Sequence, residues 1–230
     1  MTSPSYWRAF AVHAFTASGA ACALMALLAG LERQFETAFL WLGLAFVIDA
    51  VDGTFARRVD VKTNAPLISG ETLDVCVDYL TYVFIPVILL RAGDYLPGAL
   101  GLVLASLILM SSLYHFSDLG SKSADNCFVG FPALWNIVAF YVFVLAPPVW
   151  LAWLVIAAGI ATTFVRLKWV HPLRVETYRP FTLATTAAWS LAAGAVTITG
   201  FPGTPSLQFV LLAVVGYWFY LSFKLGFDRR

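Results

Sequence analysis

Eight apolar runs dominate this chain, most of them near the length that crosses a bilayer. They cover about 8–30, 34–56, 70–90, 96–116, 131–146, 149–165, 180–199 and 205–225. A helix needs about 20 apolar residues to span the hydrocarbon core. Lipid offers no partner to unpaired backbone, so these runs must be helices packed as a bundle. Only 12% of the residues are charged, against about 25% in an average soluble domain. The expected fold is an all-α integral membrane protein, a bundle of about eight transmembrane helices forming a single domain over 1–230. The first run is read as a membrane helix rather than a cleaved leader. One basic residue, Arg8, precedes it, it carries His13, and it continues past the small residues Ala17, Ser18, Gly19 and Ala20.

Alternating these eight runs from a cytoplasmic N-terminus puts twelve of the fourteen lysines and arginines on one side, with only Arg33 and Arg91 opposite. The positive-inside rule then places both termini in the cytoplasm. A formal net charge of +1 with no basic run excludes a nucleic-acid partner. Cys22, Cys76 and Cys127 lack metal spacing and read as small, buried, reduced thiols. Two connections on the inner side, 117–130 and 166–179, are longer than packing requires, which points to function there.

Four aspartates lie at the facing ends of the second and third runs. Asp49 and Asp52 share one helix face, and Asp74 and Asp78 share another. A carboxylate at a helix centre costs roughly 2.5–3.5 kcal/mol in a membrane, less near its edge. Hard divalent cations take such oxygen ligands, and four carboxylates on two facing helices can hold two ions that clamp a diphosphate. Gly53 permits close approach, Ala56 keeps that face shallow, Arg57 suits phosphate, and Gly70 repeats the small residue on the opposing helix. The set reads as a nucleotide-diphosphate cradle. The bland reading is that the carboxylates merely pair with Arg57, Arg58 and Lys62, which leaves the two glycines unexplained.

The pattern Asp49-x2-Asp52-Gly53-x2-Ala56-Arg57-x12-Gly70-x3-Asp74-x3-Asp78 resembles the signature of the CDP-alcohol phosphatidyltransferase family at all eight fixed positions. Its twelve-residue spacer is longer than most of that family carries. It is similar to a bacterial branch whose members join choline to CDP-diacylglycerol. The stretches 123–136 and 170–175 also resemble that branch. The resemblance implies Mn²⁺ or Mg²⁺, as two ions, on Asp49, Asp52, Asp74 and Asp78. It implies CDP-diacylglycerol on Asp52, Gly53, Ala56, Arg57, Gly70 and Asp74, with Asp78 as general base toward choline. It further implies the bacterial inner membrane, a site on the cytoplasmic side, membrane lipid as a partner, and a homodimer. Eight runs exceed the six helices of that family's common core.

A trimethylammonium is recognised by aromatic faces. Tyr82, one turn from Asp78, is one candidate. Trp135 and Asn136, read as one turn inside the fifth run, are the others. Lys122, Arg174 and Arg179 lie in the two long connections and are candidates for the lipid-linked phosphate. Ordinary positive-inside charge is the alternative for all three. Tyr6 and Trp7 read as an interfacial anchor, and His171 before Pro172 as a turn residue. Two other functions stay open: transfer to glycerol phosphate, serine or inositol, and a divalent-cation transporter. A transporter calls for carboxylates near the bilayer midplane rather than clustered at one end.

Overall fold

The computed structural model describes residues 3–123 and 127–226. It divides into two compact units, Met1–Ala92 and Gly93–Arg230. In the first, helix α1 (Pro4–Leu31) starts where Ser3 Oγ accepts the Tyr6 amide at 3.2 Å, with Pro4 in the first turn. Its buried residues lie on one face, three or four positions apart or adjacent, and are nearly all small: Ala9, His13, Thr16, Gly19, Cys22, Ala23, Ala26, Ala29 and Gly30. Small residues let membrane helices approach closely. A Cβ at Gly19 would lie 2.6 Å from Val77 Cγ1, and one at Gly30 would lie 2.2 Å from Leu89 Cδ2. A short connection leads to α2 (Phe35–Arg58), which buries Ala38, Phe39, Leu42, Ala45, Ile48 and Asp52. Arg57 and Arg58 sit in its last turn, where cations complement the carbonyl end.

The spacer after α2 is ordered. It forms the short helix α3 (Val61–Asn64), entered through Asp60 at φ 47°. Asn64 Nδ2 ties it back to the carbonyls of Val59 at 2.8 Å and Asp60 at 3.2 Å. The third span, Gly70–Ala92, begins where Ser69 Oγ accepts the Thr72 amide. It consists of α4 (Gly70–Asp78), a π-helical stretch Tyr79–Phe84, and α5 (Ile85–Ala92). Pro86 explains the widening. It has no amide hydrogen, and its ring crowds the carbonyl four residues back, that of Tyr82. In the widened turn the Ile85 amide reaches the Leu80 carbonyl five residues back.

The second unit contains α6 (Gly98–Ser117), α7 (Trp135–Leu145), α8 (Val149–Thr163), α9 (Arg179–Thr199) and α10 (Pro205–Leu225). Its two long connections meet in a small antiparallel ribbon, β1 (Phe128–Val129) with β2 (Lys168–Trp169), pairing Phe128 with Trp169 and Val129 with Lys168. The Gly130 amide extends it to the Leu167 carbonyl at 2.9 Å. Gly130 has φ 79°, and a Cβ there would fall 2.5 Å from the Thr163 carbonyl oxygen, so only glycine fits. The Val170 amide donates to Ser222 Oγ at 2.9 Å, which holds the ribbon to α10. On the helices of this unit Trp189 Nε1 donates to Tyr141, whose hydroxyl donates to the Leu211 carbonyl.

Among the described residues, six helical spans are long and apolar enough to cross a membrane. Large apolar side chains such as Leu31, Met110, Leu191 and Phe223 face outward from them. This is the pattern of an all-α integral membrane protein. The fifth and sixth runs are shorter than the hydropathy reading. α7 has 11 residues and α8 has 15, about 16 and 22 Å of rise against a core of about 30 Å. The fifth helix begins at Trp135 rather than near Phe131, because Pro132 and the left-handed Ala133 (φ 55°) break the backbone before it. Cys22 and Cys127 are buried as expected, but Cys76 is exposed. It lies beside exposed Val75 on the outward side of α4, where apolar residues are not core.

Candidate active site

The helices of the first unit bring three carboxylates together. Oxygens of Asp49 on α2 and of Asp74 and Asp78 on α4 all lie within 4.8 Å of one another. Each is half-buried. Three carboxylates this close repel unless a proton or a cation intervenes, and three hard oxygen donors suit a divalent cation. The cluster therefore fits the metal that the sequence pattern implies. Tyr82 is buried on the π-helical stretch, and its hydroxyl donates to Asp49 Oδ2. Its ring lies 6.2 Å from that of Phe46. The widened turn after Asp78 thus sets where this hydroxyl falls, a common association of π-bulges with functional positions.

Asp52 stands apart from the three. It is buried, and its Oδ2 accepts a hydrogen bond from Thr16 Oγ1 on α1 at 2.7 Å. It forms part of the wall of a cavity of about 450 Å³. The same wall carries Gly53, Ala56, Arg57, Gly70 and Asp74. All six residues expected to hold CDP-diacylglycerol thus line one cavity, and Asp74 belongs both to it and to the carboxylate cluster. Arg57 lies alongside Gly53, since a Cβ there would come 3.4 Å from Arg57 Nη1. Arg57 Nη2 also donates to Thr54 Oγ1 at 3.2 Å. Lys62 from α3 and Glu71 from α4 form an exposed ion pair of 2.8 Å at the same cavity.

Motif reasoning misses the polar residues that α1 contributes to the cavity, His13 and Thr16. Their signal is present as two polar side chains, one turn apart, on a helix face otherwise built from small residues.

The other candidates lie in the second unit. Trp135 is fully buried, its Nε1 donates to Ser112 Oγ at 2.8 Å, and its ring packs where a Cβ at Gly159 would lie 2.8 Å away. It is the first residue of α7, not one turn inside it. Asn136 is buried, and its Oδ1 accepts the Ile137 amide at 2.9 Å. Lys122 forms an isolated bridge to Phe128, and Arg174 is exposed in a turn whose amides, those of Arg174 and Val175, donate to the His171 carbonyl. The His171 ring stacks on Phe128 with centroids 5.2 Å apart. Burial, then the positive charges of Arg174 and Lys122, push His171 down to about 4. Both lipid-phosphate candidates therefore act on one histidine. Arg179 is the first residue of α9. Asp125, which by sequence could hydrogen-bond within the 117–130 connection, lies outside the described residues.

An acidic cluster that fits a divalent cation, opening beside a glycine-walled cavity, has the chemistry expected of an enzyme that handles a diphosphate. Residues 11–165 match the family model for CDP-alcohol phosphatidyltransferase, and the chain belongs to that family. Among its relatives, the chain is similar to the phosphatidylcholine synthase of Pseudomonas aeruginosa, 40% identical over 96% of this chain and 90% of the relative. It is 46% identical to that of Bradyrhizobium diazoefficiens over 80% of this chain and 68% of the relative. It is 30% identical to that of Borreliella burgdorferi over 93% and 91%.

Proposed function

We propose that this protein makes phosphatidylcholine from CDP-diacylglycerol and choline and releases CMP. The observation that carries the reading is the junction at Asp74, where a cavity walled by the six expected nucleotide residues meets the three clustered carboxylates. The choice of choline rests on the relatives named phosphatidylcholine synthase that align with most of this chain.

In this reading the nucleotide end of the lipid lies along Gly53, Ala56 and Gly70, where missing side chains admit it. Arg57, lying alongside Gly53, offers planar donors to phosphate. Asp78 accepts the proton of the choline hydroxyl. The choline oxygen then bonds to the phosphorus that carries diacylglycerol. The bond from that phosphorus to the oxygen shared with CMP breaks, and CMP departs with that oxygen. Asp49, Asp74 and Asp78 would hold the divalent cation, with Asp52 completing the set for a second ion. Bound there, Mn²⁺ or Mg²⁺ would neutralise the diphosphate and favour departure of CMP. Tyr82 fixes the Asp49 carboxylate, and its ring is the proposed choline contact; Trp135, with its ring fully buried on Gly159, and buried Asn136 are not included in it. Lys122 and Arg174, exposed cations of the two long connections, are proposed for the lipid-linked phosphate.

In this reading the chain is a bundle of about eight helices in the bacterial inner membrane, with both termini and the site on the cytoplasmic side and a homodimer as the assembly. The charge asymmetry of the connections supports the orientation. The deciding experiment supplies purified protein and divalent metal with CDP-diacylglycerol and, in turn, choline, glycerol phosphate, serine and inositol. Labelled phosphatidylcholine and CMP are expected with choline alone. Turnover of glycerol phosphate without turnover of choline would overturn the acceptor, and metal flux into proteoliposomes without CMP release would overturn the enzyme reading.

A further inference from the structure

We propose that His13 is a nucleotide-recognition residue that hydrogen-bonds the cytidine portion of the CDP headgroup, an inference that rests on the reading above. His13 lies on α1, outside the aspartate motif, yet it lines the same cavity. It is only 5% exposed, and its Nε2 is buried with no hydrogen-bond partner. A buried imidazole nitrogen left unpaired is costly, and native structures rarely keep one without a use. A face otherwise built from small residues has no packing need for an imidazole there.

The register of the helices says which part of the ligand it meets. Thr16 is level with Asp52, to which it donates at 2.7 Å. His13 lies three residues, about 4.5 Å, toward the α1 N-terminus. α2 runs antiparallel to α1, so one helical turn along α2 in the same direction leads from Asp52 to Ala56. α4 begins at Gly70, one turn before Asp74. His13, Ala56 and Gly70 therefore form one layer, a turn away from the carboxylates. The contact is direct: a Cβ at Gly70 would lie 3.2 Å from His13 Cε1 and 3.7 Å from its Nδ1. The diphosphate belongs with the carboxylate layer and its cations. The next layer out is where the nucleoside must lie, and there His13 offers a donor and an acceptor to the ribose hydroxyls and the base edge.

The test uses the full chain in detergent with divalent metal, and reads CMP binding by calorimetry beside steady-state kinetics. His13→Phe keeps the ring but removes both nitrogens. It should weaken CMP by about tenfold, as loss of one or two buried hydrogen bonds does. The KM for CDP-diacylglycerol should rise in step while the KM for choline is unchanged. His13→Gln or His13→Asn, which replace one nitrogen each, should restore most of the affinity. In wild type, 2′-deoxy-CMP or UMP should bind more weakly than CMP, and His13→Phe should erase that preference for whichever group the imidazole touches. Undiminished CMP binding by the phenylalanine variant would overturn the proposal. So would loss of thermal stability in all three variants without selective loss of CMP, since that marks packing alone. CMP is the product for every alcohol acceptor, so the result is independent of choline. Failure of wild type to bind CMP would instead sink the transferase reading and this inference with it.

Discussion

In the first unit the polar groups sit on helices, at whole-turn separations from one another. In the second the charged candidates, Lys122 and Arg174, sit on two irregular connections joined by a ribbon of two residue pairs. The difference decides what each can do. Asp49, Asp74 and Asp78 converge because the helices that bear them are pinned by close contacts, Gly19 on Val77 and Gly30 on Leu89. Each carboxylate is then supported by a specific neighbour where the structure shows one: Tyr82 for Asp49 and Thr16 for Asp52. Lys122 and Arg174 have no comparable frame. They are exposed, and their influence reaches His171 through space. Positions fixed by helices suit bond-making chemistry, which fails at small displacements. Exposed surface cations suit attraction of a charged headgroup.

The largest effect should come from breaking the rigid side. Asp78→Asn keeps size and nearly keeps shape but cannot accept a proton. Turnover should fall about 100- to 10,000-fold, while CMP binding in the cavity persists. Radiolabelled product formation against calorimetric CMP binding separates the two. Retained turnover would remove Asp78 as the base. Next in size is Thr16→Val, which deletes the hydroxyl that donates to Asp52 and leaves a buried carboxylate short of a partner. A hydrogen bond to a charged group is worth about 1.5–3 kcal/mol, so metal-dependent CMP affinity should fall about 10- to 100-fold. Thr16→Ser should recover it. Equal affinities in valine and serine variants would show that Thr16 only packs.

The same contrast explains what can be read from the sequence. Spacing along one helix is local, so i, i+3 and i, i+4 carboxylates, the glycines and Arg57 are legible as one site from the order of residues alone. Hydropathy exposes the helical spans for the same reason. Contacts between helices are not legible in this way. Nothing in the motif says that α1 supplies Thr16 to Asp52 or His13 to the layer of Gly70. The π-helical stretch is hidden too, because Pro86 alone does not reveal how the backbone will absorb it. Trp135 shows a further limit. An aromatic near a helix start resembles a cation-binding face in sequence, whereas its ring packs on Gly159 and its N–H is donated to Ser112. Nor does composition reveal that 117–130 and 166–179 pair as a ribbon.

On the softer side effects should be smaller and salt-dependent. Lys122→Ala and Arg174→Ala should each raise the KM for CDP-diacylglycerol about two- to fivefold, the range of exposed ion pairs. The double variant should exceed either. Raising ionic strength should shrink the gap from wild type, because exposed charges are screened. An effect on kcat as large as that of Asp78→Asn, insensitive to salt, would place these cations in the rigid machinery and dissolve the distinction.

The smallest predicted effect reads the same cluster through pH. Burial first, then Arg174 and Lys122, hold His171 at about 4, below its ordinary 6.5. Between those values the unfolded chain binds more protons at this position than the folded one. Its neutral form therefore supports the fold fully above pH 6.5, and that support is lost as pH falls toward 4. Melting in detergent should show wild type losing stability between pH 7 and 5. His171→Phe preserves the stack on Phe128, 5.2 Å between centroids in wild type, and removes the titration. Its melting temperature should fall less over that interval, by about 2–4 °C. Arg174→Ala should lie between the two, because one of the charges opposing protonation is gone while burial remains. Identical pH slopes in wild type and the phenylalanine variant would mean that the charges of these two connections do not meet at His171, and the basic cluster would reduce to scattered positive-inside residues.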